Sequence, residues 1–281
     1  MASKAFLVGI NDYVSPGVND LQGCVNDVRD MANTLVIMGF DPKQMQICTD
    51  RRATKIAIIN GIKSLLKGAK KGDNLVFYYS GHGSQIPDVS GDESDGKDEV
   101  LCPADVGVGE GNFISDDDLR ELFKGVAVDV NLEVILDCCH SGTGTRTIDA
   151  FMGLPEAKKV RARYLPPPLD YSFHLDNIPD LPVRKLMKPS GSSKDVKLAP
   201  TLNHVLWAGC RDNQVSEETE IGGMVRGAFT FNFCEILRRT GGKSSRKTVD
   251  RLLTSAISRG GFAQRPQLEA SAKELLNKTF M

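Results

Sequence analysis

The sequence predicts an α/β fold, a mostly parallel central sheet with helices on both faces. Three observations carry this. Short unbroken apolar runs alternate with longer amphipathic segments. Several of those runs are apolar on both faces, as strands of a covered parallel sheet are. Glycine, asparagine and aspartate punctuate the junctions.

Taken in order, KAFLVGI (4–10) reads as a buried strand closed by Asn11 and Asp12. From Asp20 to Met38 the apolar residues Leu21, Cys24, Val25, Val28, Met31, Ala32, Leu35 and Val36 follow helical spacing, and Gly39 ends the helix. MQICT (45–49) is a short strand, and Ala53 to Leu66 a second amphipathic helix ended by Gly68. NLVFYYS (74–80) is a strongly apolar strand that runs into Gly81-His82-Gly83. A helix follows between Ile114 and Phe123, opened by Ser115 with acidic residues in its first turn. LEVILD (132–137) is the next buried strand and leads into CCHSG. Residues 143–200 carry PPP at 166–168, further prolines and SGSS at 190–193, and read as a long connection. HVLWAG (204–209) is a strand; Phe229–Arg239 and Thr248–Ser258 are helices.

The chain has 281 residues, 41% of them hydrophobic, enough for one large core or two small ones, and the length alone does not demand a split. The net charge of −1 gives no basic excess for nucleic acid, and no basic amphipathic stretch points to a membrane surface. The N-terminal apolar run is shorter than a signal peptide requires, and no run approaches the roughly 20 residues of a membrane span. We therefore expect a soluble, cytoplasmic protein. Seven cysteines, an odd number in a long chain without a secretion signal, argue against a disulfide framework.

Two positions stand out. His82 and Cys139 each lie just past the carboxyl end of a buried strand, the edge of a parallel sheet where ligands bind. A cysteine nucleophile needs a thiolate, which a nearby imidazole supplies or stabilises. Glycines on both sides of His82 allow a substrate backbone to approach. The amides of Gly83 and of the turn that begins at Cys139 are candidates for an oxyanion hole. A lone histidine in apolar surroundings is more often structural, but of the four histidines only His82 is held between glycines at a strand end. Cys138-Cys139-His140 does not suit zinc, because consecutive residues cannot easily converge on one tetrahedral ion and no second CxxC or HxxxH exists.

KAFLVGIND, LQGCVNDVRDM, VFYYSGHGSQ, DGKDEVLCPAD, ISDDDL and VILDCCHSG, in this order, resemble the metacaspases, in particular the prodomain-free bacterial orthocaspases. GCRDNQVSEE (209–218), GAFT (227–230) and RPQLE (265–269) look like later landmarks of that family. The resemblance implies a caspase-like three-layer α/β sandwich. Residues 1–142 would be its large-subunit-like portion, 143–200 a connection with self-cleavage sites, and 201–281 the small-subunit-like portion of the same domain. It implies a cysteine endopeptidase with His82 as general base and Cys139 as nucleophile, cutting protein or peptide substrates after arginine or lysine, and a monomer. By the same resemblance Cys24, Asp27, Ser80 and Asp137 line the pocket for the basic side chain. Two carboxylates there favour a guanidinium or ammonium. Taken alone, Asp27 is equally a helix N-terminal charge and Asp137 a capping residue.

The acidic stretch GDESDGKDE (91–99) and Asp116-Asp117-Asp118 read on their own as solvated turns; the spacing is not that of an EF-hand. The family resemblance implies calcium at Asp98, Asp116 and Asp117. The stretch after the cysteine, TGTRTID, departs from the family pattern, and no fourth ligand is assigned there. For an enzyme specific for basic residues, the self-cleavage candidates in the connection are Arg146, Lys158, Lys159, Arg161, Arg163 and Lys188; the plain alternative is an ordinary linker whose charges serve solubility. Two other classes of function compete: a catalytically silent caspase-like scaffold acting through protein contacts, and a redox or metal-binding protein using Cys138 and Cys139. Intact His82, Cys139, Asp27 and Asp137 argue against the first, and the strain of a vicinal disulfide against the second.

Overall fold

The N-terminal apolar run forms β1 (Ser3–Gly9), which pairs in parallel with β2 (Met45–Thr49) on one side and β3 (Asn74–Ser80) on the other. This is a computed structural model, and it describes residues 1–87, 96–107, 112–127, 129–139, 160–166, 204–211, 214–270 and 272–280. Three more strands complete the sheet. β7 (Asn131–Asp137) lies parallel to β3, β9 (His204–Ala208) parallel to β7, and β12 (Gln267–Ala270) antiparallel at the edge. The order is β12-β9-β7-β3-β1-β2, so strands from before and after the long connection share one sheet.

Strand residues alternate between two apolar clusters, because successive side chains point to opposite faces. Phe6, Val8, Phe77, Tyr79, Val134 and Leu136 pack with α2 (Lys55–Leu66) and α3 (Asp116–Phe123). Leu7, Val76, Tyr78, Ile135, Val205 and Trp207 pack with α1 (Cys24–Ile37), α4 (Ala228–Thr240) and α5 (Arg246–Arg259). A short helix, α6 (Lys273–Asn277), follows β12. Helix starts follow local caps: the side chains of Thr54, Ser115 and Ser245 accept from the backbone N–H three residues on. Ser115 and Asp118 form a reciprocal capping box.

α1 is the exception. Helical spacing begins at Asp20, yet the helix starts at Cys24 with no local side-chain cap. The N–H groups of Gln22 and Gly23 instead donate to the carboxylate of Glu218, 195 residues beyond Gly23. Glu218 thus holds the two residues before the helix, and the first helical N–H, of Cys24, donates to Asn11 Oδ1 at 2.9 Å.

Two small antiparallel sheets flank the carboxyl edge. One joins β4 (Gly83–Pro87), β5 (Lys97–Leu101) and β6 (Ile114–Ser115); the other joins β8 (Arg161–Ala162), β10 (Glu217–Ile221) and β11 (Met224–Gly227). The sequence reading treated the stretches holding β5 and β8 as an acidic turn and part of an irregular connection. Both are short, charged strands whose pairing is set by their neighbours, so they leave no period-2 apolar signal.

Candidate active site

β3 and β7 are neighbours, and their register pairs Ser80 with Asp137. His82 and Cys139 therefore each emerge two residues past the same edge. The backbone of His82 is fixed by aromatic hydroxyls. Its N–H donates to the Tyr13 oxygen at 2.8 Å, and the Tyr79 hydroxyl lies 2.8 Å from the carbonyl oxygens of His82 and Cys102. The imidazole packs 5.0 Å from the Tyr13 ring and is buried. Its Nε2 is 2.7 Å from the Asn19 carbonyl oxygen, a contact that only an N–H donor makes favourably. The neutral tautomer then leaves Nδ1 as the basic nitrogen, and Nδ1 has no partner among the described residues. Burial lowers the basicity of His82, favouring the neutral base. Sequence reasoning named no third member for this pair; the backbone carbonyl of Asn19, which carries no side-chain signal, orients the ring.

Cys139 is buried in a small apolar cluster with Cys210 and Val215. Its sulfur accepts the N–H of Ser216 and lies 3.5 Å from the Ser216 oxygen. The adjacent Cys138 packs into the main core instead.

Beside the pair lies a closed acidic pocket. Asp27 comes from α1, Ser80 from β3, Asp137 from β7 and Glu218 from β10; all four are fully buried. Each carboxylate is held by its surroundings. Asp27 Oδ1 accepts from Gly227 N at 2.9 Å, and Ser80 Oγ donates to Asp27 Oδ2 at 3.0 Å. Asp137 accepts from Ser216 Oγ at 2.5 Å and from Thr230 Oγ1 at 2.6 Å. Gly227 closes the wall, since a β-carbon there would stand 2.4 Å from the Asp137 carboxylate. Burial pushes Asp27 up to about 6, although Arg163 pulls it down. Cys24 lies in the same electrostatic surroundings, and burial pushes its thiol well up.

The chain itself fills this pocket. Arg163, one of the six self-cleavage candidates, is fully buried there. Its Nη2 donates to Asp27 Oδ2 at 2.6 Å and to Glu218 Oε2 at 3.4 Å. Its Nη1 donates to Ser80 Oγ at 2.9 Å and lies 2.9 Å from Asp137 Oδ2. The main chain is docked too. β8 adds antiparallel to β10, with Ala162 opposite Glu217, and Arg163 N donates to Ser216 O at 3.1 Å. The Arg163 carbonyl oxygen accepts from Gly83 N at 3.1 Å and Cys139 N at 3.3 Å, the two amides the sequence nominated for an oxyanion hole. Beyond it, Leu165 N donates to Gly83 O at 2.9 Å. Of the other candidates, Arg161 is exposed on β8. Arg146, Lys158, Lys159 and Lys188 lie outside the described residues, as do His140, Ser141 and Gly142.

The residues nominated for calcium sit differently. Asp98 is buried on β5, while Asp116 and Asp117 open α3. Arg120 pairs with both of the latter, at 3.0 Å from Asp116 and in direct contact with Asp117. Among the described residues no three metal-ligating side chains converge. As arranged, Asp116 and Asp117 face the Arg120 guanidinium.

Glu218 was missed by sequence reasoning. A glutamate in SEET on a half-charged stretch has no feature that separates it from an exposed strand face.

Residues 3–147 match the family model described as metacaspase, peptidase C14 domain. The chain is 34% identical to Metacaspase-1 of Yarrowia lipolytica over 99% of its length, and it spans 63% of that relative. It is 31% identical to Metacaspase-1 of Emericella nidulans and 32% identical to that of Ajellomyces capsulatus, over 95% of its length in both, spanning 70% and 79% of them. A crystal structure of a Geobacter sulfurreducens protein superposes with a TM-score of 0.69 at 25% identity, covering 99% of this chain and 97% of that one. Caspase-1 from Spodoptera frugiperda superposes with a TM-score of 0.59 at 11% identity, covering 96% and 87%, a likeness of fold alone.

Proposed function

The chain belongs to the metacaspase family of cysteine peptidases, and on that premise we propose that it is an endopeptidase that cuts after arginine or lysine and cuts itself between Arg163 and Tyr164. One observation carries the reading: Arg163 lies in the acidic pocket while its carbonyl oxygen accepts from the amides of Gly83 and Cys139.

In the proposed reaction His82 Nδ1 takes the thiol proton and Cys139 Sγ attacks the Arg163 carbonyl carbon. Negative charge then grows on the oxygen already facing two N–H groups, where such stabilisation is most effective. The Tyr164 nitrogen leaves with the proton from His82, and a thioester joins Cys139 to Arg163. Water, deprotonated by His82, attacks the thioester, and the thiol and a new carboxylate are released. Until that segment leaves, the same contacts keep other substrates out, so self-cutting and opening of the pocket are one event in this reading.

The test is intact-mass analysis together with hydrolysis of a fluorogenic arginine peptide, for the wild type and Cys139→Ala. Wild type is expected to yield fragments ending at Arg163 and beginning at Tyr164 and to hydrolyse the peptide; Cys139→Ala should do neither. A wild type that stays whole and inert would favour the silent scaffold. The same assay with calcium and with chelator decides whether a cation displaces Arg120 from Asp116 and Asp117. No step of the reaction above depends on that outcome.

A further inference from the structure

The acidic pocket has two ends, and they are served by different carboxylates. The Nη1 end of Arg163 meets Ser80 and Asp137; the Nη2 end meets Asp27 and Glu218. Glu218 comes from β10, where side chains alternate. Its neighbour Glu217 therefore points away, and only Glu218 reaches inward. Oε1 accepts from Gln22 N at 2.9 Å and Oε2 from Gly23 N at 3.0 Å, which fixes the carboxylate against the start of α1. Oε2 then faces the guanidinium at 3.4 Å. Gly23 leaves room for this meeting, because a β-carbon there would lie 3.0 Å from both Arg163 Nη2 and Glu218 Oε2.

We propose that Glu218 is a third carboxylate of this pocket and that it sets a preference for arginine over lysine. The inference rests on the peptidase reading for its substrate but not for its geometry. A guanidinium presents two amino ends in a fixed fork and answers both halves of the pocket. A lysine has one ammonium. It neutralises one half and leaves the other half's carboxylates buried without a counter-charge, which is costly. Glu218 adds to the half that the fork reaches together with the other, so it helps arginine more than it helps lysine.

The measurement is the ratio of kcat/KM for matched arginine and lysine peptides, in wild type and Glu218→Gln. Glutamine keeps an oxygen for one of the two helix N–H groups and removes the charge. The arginine peptide is expected to lose about tenfold in kcat/KM, mainly through KM, with a smaller loss for lysine, so that the ratio falls at least about fivefold. A merely structural role would weaken both substrates alike. Competition from the protein's own Arg163 also cancels in the ratio. An unchanged ratio in an active enzyme overturns the proposal. If wild type hydrolyses neither peptide, the peptidase reading fails, and the geometry is tested without turnover. In the Cys139→Ala chain, Arg163→Lys and Glu218→Gln should lower the melting temperature non-additively, because each removes part of the same contact. Additive losses overturn the proposal.

Discussion

Among the described residues two arginines, Arg163 and Arg246, are buried without exposure, and their surroundings differ. Arg246, in the first turn of α5, faces one carboxylate, Glu133 of β7. Its Nε donates to Glu133 at 2.8 Å and its Nη1 to Leu275 O at 2.8 Å; its Nη2 donates to Glu133 at 2.6 Å and to Asn131. The other Glu133 oxygen accepts from Trp207 Nε1 at 2.7 Å. Charge is matched one to one and every nitrogen is used. Arg163 faces three carboxylates, Asp27, Asp137 and Glu218, and its Nε has no partner among the described residues. A matched, saturated pair is a brace between secondary-structure elements. An acidic pocket with more negative charge than its occupant offsets is a receptor for a cation, whichever chain carries it.

The largest effect that could break this comparison is on stability. Removing one partner of the matched pair, by Arg246→Met or Glu133→Gln, leaves a buried charge or dipole uncompensated in the core and should cost about 3–5 kcal/mol in urea unfolding. Removing the pocket occupant by Arg163→Met should cost less, about 1–2 kcal/mol. Arg246 is anchored in a 14-residue helix, whereas Arg163 is carried by the two-residue β8, so water can replace it with little loss of packing. Both sets are best measured in Cys139→Ala, where the chain stays whole. Equal losses at the two sites would mean that Arg163 is a brace as well, and the receptor reading would fail.

A smaller and sharper effect concerns the cut itself. Arg163→Met with Cys139 intact should abolish the fragment that ends at residue 163 while leaving hydrolysis of an added arginine peptide in place, because the substitution empties the pocket without a cut and the dyad is untouched. Loss of both activities would assign Arg163 to the architecture of the site rather than to its substrate position.

The sequence carried the central strands and the two chemical positions well, since NLVFYYS and LEVILD are long apolar runs and His82 and Cys139 stand directly after them. Asp27 and Asp137 were reachable only through the family resemblance, because either alone fits an ordinary helix or strand terminus. Three things were not legible, each because it is made by residues far apart in the chain. The entry to α1 is held by Glu218, 195 residues beyond Gly23, and by Asn11. The orientation of His82 depends on a backbone carbonyl at Asn19. Arg163 was one of six equivalent basic residues until β8 paired with β10.

The smallest effect is a proton. Burial lifts Asp27 from 3.8 to about 6 even with Arg163 beside it, and Arg163 is among the influences that lower the value. An arginine that enters the emptied pocket is therefore expected to displace a proton from Asp27. The sign for stability follows from the raised value. Between pH 3.8 and about 6 the folded protein binds more protons at Asp27 than the unfolded chain, so this group's contribution falls as pH rises through that window. For binding the sign is opposite: below about 6 the carboxyl is neutral and its pairing with the guanidinium weakens. His82 is shifted the other way, downward by burial, so both groups bear on the acid limb of kcat/KM for arginine peptides, and Asp27→Asn, which leaves the base in place, separates them. Calorimetric titration of the cleaved Cys139→Ala protein, made by mixing its two fragments, with an arginine peptide in buffers of different ionisation heat should show proton release at pH 6.5, and Asp27→Asn should show less. Burial also lifts Glu133, but its arginine never leaves, so Glu133→Gln should not change the proton count. Binding without proton release would mean that Asp27 is already ionised in the empty pocket, and the pocket would then resemble the matched pair more closely than its three carboxylates suggest.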